Sequence, residues 1–427
     1  MNAAPYRWPS PFSNRRTRRP ALFSLTGGWT TALFVFAATF AVIMNGAWMM
    51  TSHLPRRPIH RGIMRSPAST HSHPCTQENI MELGAYSFGD TPRTPDGSLR
   101  PTAEAIRNLF EAIVHADQAG LDYFGVGEHH TLEMPASSPG TVIAAAAGAT
   151  KQIKLGSGAS IISTDDPVRI FQQFATADAV SGGGRVEITA GRGSSVETFP
   201  LFGYDLGDYD RLYAEKLALL MRINNSETEA VTWSGTVRPE IHDLAVVPRP
   251  VNGTLPLWLA TGGSAPSSVR AGKLGLPVSY GIIGGAPARF GPLADLYRAS
   301  AEQAGHAGGN IKVSVAALGL IAPTKKEALE RFYPGWYNLN LEMGKLRGWP
   351  APDQRQFLAQ ADFPGAYYVG DPDEIAQRIV DLHGHMGHMR HFLQMDIGGL
   401  PQEHFLDSLT LLATEVKPRV ERLLKKQ

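Results

Sequence analysis

From residue 81 onward the chain repeats one pattern of hydrophobic and polar positions. A short apolar run, rich in β-branched residues or glycine, is followed by a loop and then by an amphipathic stretch with helical periodicity. Such alternation is typical of parallel strands joined by helical crossovers. The predicted strands are residues 82–87, 123–127, 153–162, 185–190, 256–260, 277–283, 311–318 and 391–395. Eight strands of this kind predict an α/β fold with a single closed (β/α)8 barrel, the TIM barrel.

The predicted helices lie between these strands and begin at capping residues. Asp166 before Pro167 is the clearest case, because aspartate accepts backbone hydrogen bonds at a helix start and proline fits the first turn. The predicted helices are residues 103–119, 167–180, 211–223, 287–304, 325–345 and 372–382. Residues 81–427 exceed the roughly 250 residues of a typical barrel, so we expect insertions. Residues 231–247 predict a β-hairpin, and the polar, proline-punctuated residues 347–367 suggest a lid.

Residues 1–80 form a hydrophobic and basic N-terminal extension that differs from this body. Residues 21–54 contain no charged side chain, and arginines stand on both flanks. Three interpretations remain open: upstream sequence joined through a misplaced start codon, a membrane anchor at residues 21–54, or a cleaved signal peptide. The positive-inside rule gives no orientation, because both flanks are basic. We therefore expect the folded domain to begin at Met81.

Composition limits the function of the body. The chain is 43% hydrophobic and 19% charged, with a formal net charge of +1, so no overall charge attracts nucleic acid. The single cysteine, Cys75, lies in the extension. The body must therefore fold without disulfides and without a cysteine-ligated metal, which favours a reducing, cytoplasmic location.

The first chemical motif is Gly127-Glu128-His129-His130, directly after the second predicted strand. A barrel has its active site at the carboxyl ends of its strands, and a histidine there acts as acid, base or donor near neutral pH. The alternatives are a structural histidine pair and a metal site with Glu128. We expect no metal, because the other histidine cluster, residues 383–391, leads into the last strand and belongs at the opposite end.

The second motif is a strand that runs into Gly262-Gly263-Ser264 and then a helix containing Ser267. Backbone N–H groups, two hydroxyls and the positive end of a helix dipole together predict a phosphate cradle. The alternative is a tight turn with a serine cap. The spacing fits neither a Walker A loop nor a dinucleotide fingerprint.

The third motif is Gly191-Arg192-Gly193 at the end of the fourth predicted strand. Glycines let the backbone approach a ligand, and a guanidinium binds phosphate through two hydrogen bonds. Alternatively, Arg192 pairs with a helix carboxylate such as Glu215.

These motifs, together with residues 156–169 around the third strand, occur in an order that resembles the luciferase-like flavin monooxygenases, and the resemblance covers Met81 to the C-terminus. It implies a barrel that binds reduced FMN, supplied by a separate NAD(P)H-dependent flavin reductase. It also implies dioxygen and a small organic substrate as reactants, and a homodimer. Two other functions on this barrel remain open, a deazaflavin-dependent dehydrogenase and a non-catalytic flavin-binding protein.

The resemblance also assigns residues. His129 matches the active-site histidine, with Glu128 beside it in the cofactor site. Gly158 and Ala159 fall where luciferases have a non-proline cis peptide against the flavin ring. The matches to phosphate contacts, with Tyr213 the weakest, are Arg192, Tyr213, Gly262, Gly263, Ser264 and Ser267. Gly191 occupies the place of the reactive luciferase cysteine, so we do not infer light emission.

Overall fold

The computed structural model describes residues 81–193, 197–306, 308, 310–348 and 350–426. The extension, with Cys75 and the apolar residues 21–54, lies outside the described residues, so its three interpretations stay predictions. In the described part of the chain, no helix is both long and apolar enough to cross a bilayer.

Eight parallel strands close into a barrel, which confirms the predicted fold. Each strand pairs with the next along the chain, and the last pairs with the first. The strands are β1 (Glu82–Ser87), β2 (Tyr123–Val126), β3 (Lys154–Ser157), β4 (Val186–Gly191), β5 (Leu257–Thr261), β6 (Val278–Ile282), β7 (Val313–Ile321) and β8 (Arg390–Gln394). Two short parallel strands extend the sheet: Ser160–Ile161 beside β4 and Tyr368–Gly370 beside β7.

Helices cover the outside of the barrel. Asp166 caps one of them as predicted, since its side chain accepts a hydrogen bond from the Val168 N–H. The helices are α1 (Thr102–Ala119), α2 (Pro139–Ala149), α3 (Pro167–Val180), α4 (Thr198–Leu201), α5 (Tyr209–Asn224), α6 (Ala265–Lys273), α7 (Gly291–Gln303), α8 (Lys325–Arg347), α9 (Gln354–Ala361), α10 (Pro372–Met386), α11 (Gln402–Leu411) and α12 (Lys417–Leu424). A π-helical turn, Leu412–Val416, joins the last two.

Both predicted insertions have defined structure. Strands Ala230–Trp233 and Ile241–Ala245 form the predicted antiparallel hairpin. The stretch expected to be a lid contains α9, whose Phe357 is 1% exposed and packs against the Trp336 ring of α8 at 5.2 Å. This aromatic contact holds α9 on α8, so the stretch is not a simple loop over the barrel.

The amino-terminal end of the barrel is held by a buried arginine. Arg390 opens β8 and is 3% exposed; it donates two hydrogen bonds to Glu187 of β4, at 2.6 and 3.1 Å, and one to Glu82 of β1, at 2.6 Å. The guanidinium also lies 4.2 Å from the Tyr123 ring centroid and 4.9 Å from that of Trp258. Burial opposes the charge on Arg390, but the two carboxylates outweigh it and raise its pKa. One side chain thus connects three strands across the barrel.

The histidines predicted to lie away from the active site do so. His388 and His391 are fully buried at the start of β8, and their rings share a hydrogen bond of 3.2 Å. Burial lowers the pKa of both, to about 3 for His391, so they are neutral core residues. Within the described ranges, no group of three or more His, Cys, Asp or Glu residues is arranged to hold a metal ion.

We predict that Arg390→Met destabilises the barrel by about 3–5 kcal/mol, because it leaves the Glu187 carboxylate buried without a cation. Urea unfolding measures this loss. Arg390→Met combined with Glu187→Leu should recover a large part of it, since the buried carboxylate of Glu187 is then gone and Glu82 keeps Lys154 as its partner. Arg100→Ala removes an exposed Arg–Glu pair and should cost less than about 1 kcal/mol. Equal losses for Arg390→Met and Arg100→Ala would contradict the structural role of Arg390.

Candidate functional site

The chemical motifs all lie in loops at the carboxyl ends of the strands. Because the eight strands are parallel and closed into a barrel, these loops form a single mouth. Glu128 and His129 follow β2, Arg192 follows β4, and Gly262 to Ser264 follow β5. Segments far apart in sequence therefore meet at one face of the molecule.

Glu128 fixes the loop after β2. Its buried carboxylate accepts a hydrogen bond from the Ile161 N–H at 2.8 Å and contacts the His130 ring nitrogen at 3.0 Å. The other face of His130 meets the Phe202 ring edge-on at 5.1 Å. Both oxygens of Glu128 are thus engaged by protein groups, so its role in the structure is to position the loop.

His129 points to a different neighbour from His130, as expected for adjacent residues after a strand. Its half-buried ring meets Phe88 of the β1 loop edge-on, with the ring centroids 4.6 Å apart. Its backbone N–H donates to the Ala136 carbonyl oxygen at 3.2 Å. His129 therefore stands at the mouth between β1 and β2, while His130 belongs to the Glu128 anchor.

The expected cis peptide at Gly158–Ala159 is not present. The cis bonds of the described residues precede Pro248 and Pro364, so the bond between Gly158 and Ala159 is trans. The trans form of a non-proline bond is favoured by about 3–4 kcal/mol. The peptide before it is held to β2, since the Gly158 N–H donates to the Val126 carbonyl oxygen at 2.7 Å. A Cβ on Gly191 would lie 3.0 Å from the Ala159 side chain, so the place of the luciferase cysteine is crowded here.

Arg192 has a carboxylate partner, but not the one suggested by the sequence. Its guanidinium pairs at 3.0 Å with Asp210 of α5, while Glu215 accepts hydrogen bonds from the Thr236 and Val237 N–H groups. The Arg192 guanidinium also lies 6.0 Å from the Tyr213 ring centroid. Asp210 is 79% exposed, so the ion pair is accessible to solvent and is weak.

The predicted phosphate cradle is a capped helix start. Ser264 accepts from the Ser267 N–H and donates to the Ser267 hydroxyl oxygen at 2.8 Å, so the Ser267 hydroxyl proton is left for another acceptor. Gly263 has a φ of 92°, and a Cβ there would lie 2.3 Å from Phe290, so this turn requires glycine. Its N–H bonds to the Thr261 hydroxyl at 3.2 Å and is not available to a ligand. Gly262 borders open space.

Arg270 joins this group, although sequence reasoning missed it. Its guanidinium lies 5.4 Å from the centroid of the Tyr213 ring. Burial raises the pKa of Tyr213 to about 12, opposed by the nearby charges of Arg270 and Arg192. Arg270 follows Ser267 by three positions, which puts both on one face of α6; this spacing was the available signal. The structure thus brings Arg192 and Arg270 together at the Tyr213 ring, with Ser267 one turn before Arg270 on α6.

A buried pair of aspartates at the same mouth was also missed. Asp90 follows β1 and Asp396 follows β8, and each is 7% exposed. Asp90 accepts from the Gly398 N–H at 2.7 Å and from Gln394 at 3.2 Å, while one oxygen of Asp396 accepts from Ser87. In the described part of the chain, the second Asp396 oxygen has no hydrogen-bond partner and neither carboxylate has a cationic one.

Burial raises the pKa of both aspartates, to about 6 for Asp396, and each carboxylate disfavours ionisation of the other. The pair therefore retains a proton at a pH where ordinary aspartates are ionised. Aspartates separated by about three hundred positions carry no recognisable local motif, so only the fold reveals them.

A family model described as Luciferase-like monooxygenase matches residues 81–388 of the chain. Among curated proteins, the chain is 28% identical over 317 residues to the 4-hydroxyprotoasukamycin monooxygenase of Streptomyces nodosus subsp. asukaensis, covering 71% of this chain and 84% of that protein. Two other curated relatives, from Sinorhizobium fredii and Bacillus subtilis, match over about half of their own length, 47% and 55%.

Solved structures share the fold at low sequence identity. One is the oxygenating constituent of 3,6-diketocamphane monooxygenase from Pseudomonas putida in complex with FMN, with a TM-score of 0.61, 20% identity, and coverage of 80% of this chain and 99% of that one. Another is the coenzyme F420-dependent tetrahydromethanopterin reductase from Methanopyrus kandleri, with a TM-score of 0.57, 18% identity and the same two coverages. The barrel is therefore common to proteins with either cofactor.

We predict that Asp396→Asn becomes more stable relative to the wild type as pH rises. The pKa of Asp396 is about 6 in the folded protein and near 3.8 unfolded, so ionisation penalises the folded state increasingly between these values. Asparagine removes the penalty, and the difference in unfolding free energy should grow by about 1–3 kcal/mol from pH 4 to pH 7. Urea titrations at several pH values measure it.

The matched control is Asp407→Asn, at an aspartate whose side chain is 63% exposed. The difference in unfolding free energy between Asp407→Asn and the wild type should not change with pH. A pH-independent difference for Asp396→Asn as well would contradict the raised pKa of the buried pair.

Proposed function

The chain belongs to the luciferase-like monooxygenase family, and from that premise we propose that residues 81–427 form an enzyme that uses reduced FMN and dioxygen to oxygenate a small organic substrate. The observation that carries the proposal is the pair of guanidinium groups, Arg192 and Arg270, that meet at the Tyr213 ring on the side of the barrel where α6 follows β5. A mouth that carries both an anion-binding group and a histidine suits a phosphorylated cofactor.

The residues at the mouth fit two parts of one FMN molecule, its phosphate and its flavin ring. Arg192, Tyr213 and Ser267 would hold the phosphate. Ser264, whose hydroxyl proton goes to Ser267, would orient that donor, and Gly262 and Gly263 would form the turn beside the phosphate. The flavin ring would lie toward the other side of the mouth, along Gly158 and Ala159 and near Glu128 and His129. Reduced flavin, when bound, supplies the electrons that activate dioxygen, while the protein contributes binding, orientation and electrostatics.

His129 is the proposed acid–base residue. A histidine side chain can accept or donate a proton through its ring nitrogens, and this is the property that acid–base catalysis requires. Phe88 packs against the ring and excludes water from that side. Glu128 fixes the preceding backbone through Ile161 and His130, so the histidine is presented from a rigid strand end.

The proposed partners follow the same premise. A separate NAD(P)H-dependent flavin reductase would supply reduced FMN, and no nucleic acid takes part. A homodimer is supported by α2, which is apolar around its whole circumference and presents Ala145 and Gly148 to solvent. We propose a cytoplasmic location for the barrel, with anchoring through residues 21–54 as the alternative.

A deazaflavin-dependent dehydrogenase is the second candidate, favoured by the similarity of the barrel to the F420-dependent reductase. Such an enzyme transfers hydride without consuming dioxygen. Cofactor absorbance after purification from an organism that makes deazaflavin separates the two candidates.

We expect the full-length protein to bind FMN and, with NADH and a flavin reductase, to consume dioxygen in a substrate-dependent manner. Flavin fluorescence titration measures binding, and an oxygen electrode measures turnover against aldehydes, sulfonates, amines and terpenoids. Binding without substrate-dependent oxygen uptake would indicate a non-catalytic flavoprotein. Absence of binding to both oxidised and reduced FMN would falsify the proposed function.

We predict that His129→Ala leaves the FMN dissociation constant within about threefold of the wild-type value, since the phosphate is held elsewhere. In a single turnover of the protein loaded with reduced FMN, it should release hydrogen peroxide about 10²-fold faster, the lower range of acid–base contributions. His242→Ala, at an exposed hairpin histidine, is the control and should behave as the wild type. An unchanged rate in His129→Ala removes His129 from this role.

A further inference from the structure

Arg270 is a cation without an acidic partner in the cofactor mouth. Among the described residues, Arg270 forms no ion pair with a carboxylate, whereas the neighbouring Arg192 pairs with Asp210. Arg270 instead lies against the ring of Tyr213, which is 3% exposed, and donates a hydrogen bond to the Tyr213 hydroxyl. A cation–π contact of this kind stabilises a guanidinium but does not neutralise its charge.

The charges around Tyr213 therefore favour a strongly negative ligand. Arg192 and Asp210 cancel, and Arg270 in the last turn of α6 contributes one positive charge. The start of α6, more than one turn before Arg270, adds the equivalent of about half a positive charge from the helix dipole near Ser267. Ser267, on the same face of α6 as Arg270, has a hydroxyl proton to donate. The solvent-exposed Asp210 can give up Arg192 to a ligand at little cost.

We propose that Arg270 selects a doubly charged phosphate monoester, and thereby FMN over riboflavin and over cofactors whose phosphate is a singly charged diester. The inference rests on the proposed function and adds a specificity-determining residue to it. A guanidinium gives a monoester two parallel charge-assisted hydrogen bonds, a geometry that a lysine ammonium does not reproduce.

The test compares FMN with riboflavin, which lacks the phosphate. Arg270→Ala should weaken FMN binding about 10- to 100-fold and leave riboflavin binding within about twofold, as expected for charge-assisted hydrogen bonds. Arg270→Lys should recover only part of the loss. Lys273→Ala, at an exposed position on the same helix, is the control and should bind both flavins as the wild type does.

The pH dependence gives an independent readout. The second pKa of a phosphate monoester is about 6, so wild-type affinity for FMN should fall as pH drops below 6, where the phosphate becomes a monoanion. Arg270→Ala should show a flatter pH profile. Riboflavin affinity should not change with pH in either protein.

The outcomes separate this inference from the proposed function. If Arg270→Ala weakens the binding of FMN and riboflavin equally, or changes the binding of neither, Arg270 only packs against Tyr213 and the inference is wrong. If the wild type binds no flavin, the proposed function fails; thermal stabilisation by inorganic phosphate then decides the anion site. If inorganic phosphate raises the melting temperature of the wild type but not that of Arg270→Ala, the anion site is supported. If phosphate does not stabilise the wild type, the anion site is overturned.

Discussion

Arg390 is the constraint on which the rest of the barrel depends. A guanidinium buried among Glu187, Glu82 and two aromatic rings is tolerated only when its hydrogen bonds are satisfied, and this requires β1, β4 and β8 at fixed positions. Glu82 and Arg390 are also register partners in the sheet, so the same contact sets the pairing at the seam where the barrel closes. The positions of the eight carboxyl ends, and therefore of the mouth, follow from this arrangement.

The two ends of the barrel treat buried carboxylates in opposite ways. At the amino-terminal end Glu187 and Glu82 each form an ion pair with Arg390, so both carboxylates are structural. At the mouth Asp90 and Asp396 each accept hydrogen bonds from uncharged groups. In the described part of the chain neither aspartate has a cationic partner, and Arg270 is a cation without a carboxylate partner. Charged groups without an oppositely charged partner lower the stability of the folded protein, and in proteins they are concentrated at ligand-binding sites. This asymmetry supports placing function at the mouth on physical grounds as well as on family membership.

The sequence predicted the barrel strands closely because fully buried strands are short apolar runs, and β1 and β8 differ from prediction by at most one residue at each end. It also placed His129 and Ser264 correctly at strand ends. The alternative that Arg192 pairs with a helix carboxylate was right in kind, but the partner is Asp210 and not the suggested Glu215, because only the position of the helix decides which of its carboxylates reaches Arg192. The cis bond expected from resemblance was wrong. Asp90, Asp396 and Arg270 needed contacts between distant segments, which no local pattern contains.

The central claim is that one mouth holds FMN, with its phosphate between Arg192 and the start of α6 and its ring beside His129. A crystal structure of the full-length protein with bound FMN tests this most directly. We expect phosphate oxygens within hydrogen-bond distance of Arg192 and Ser267, and the flavin ring next to Gly158 and Ala159. Electron density for the flavin at another surface, or a phosphate that contacts neither residue, would contradict the account.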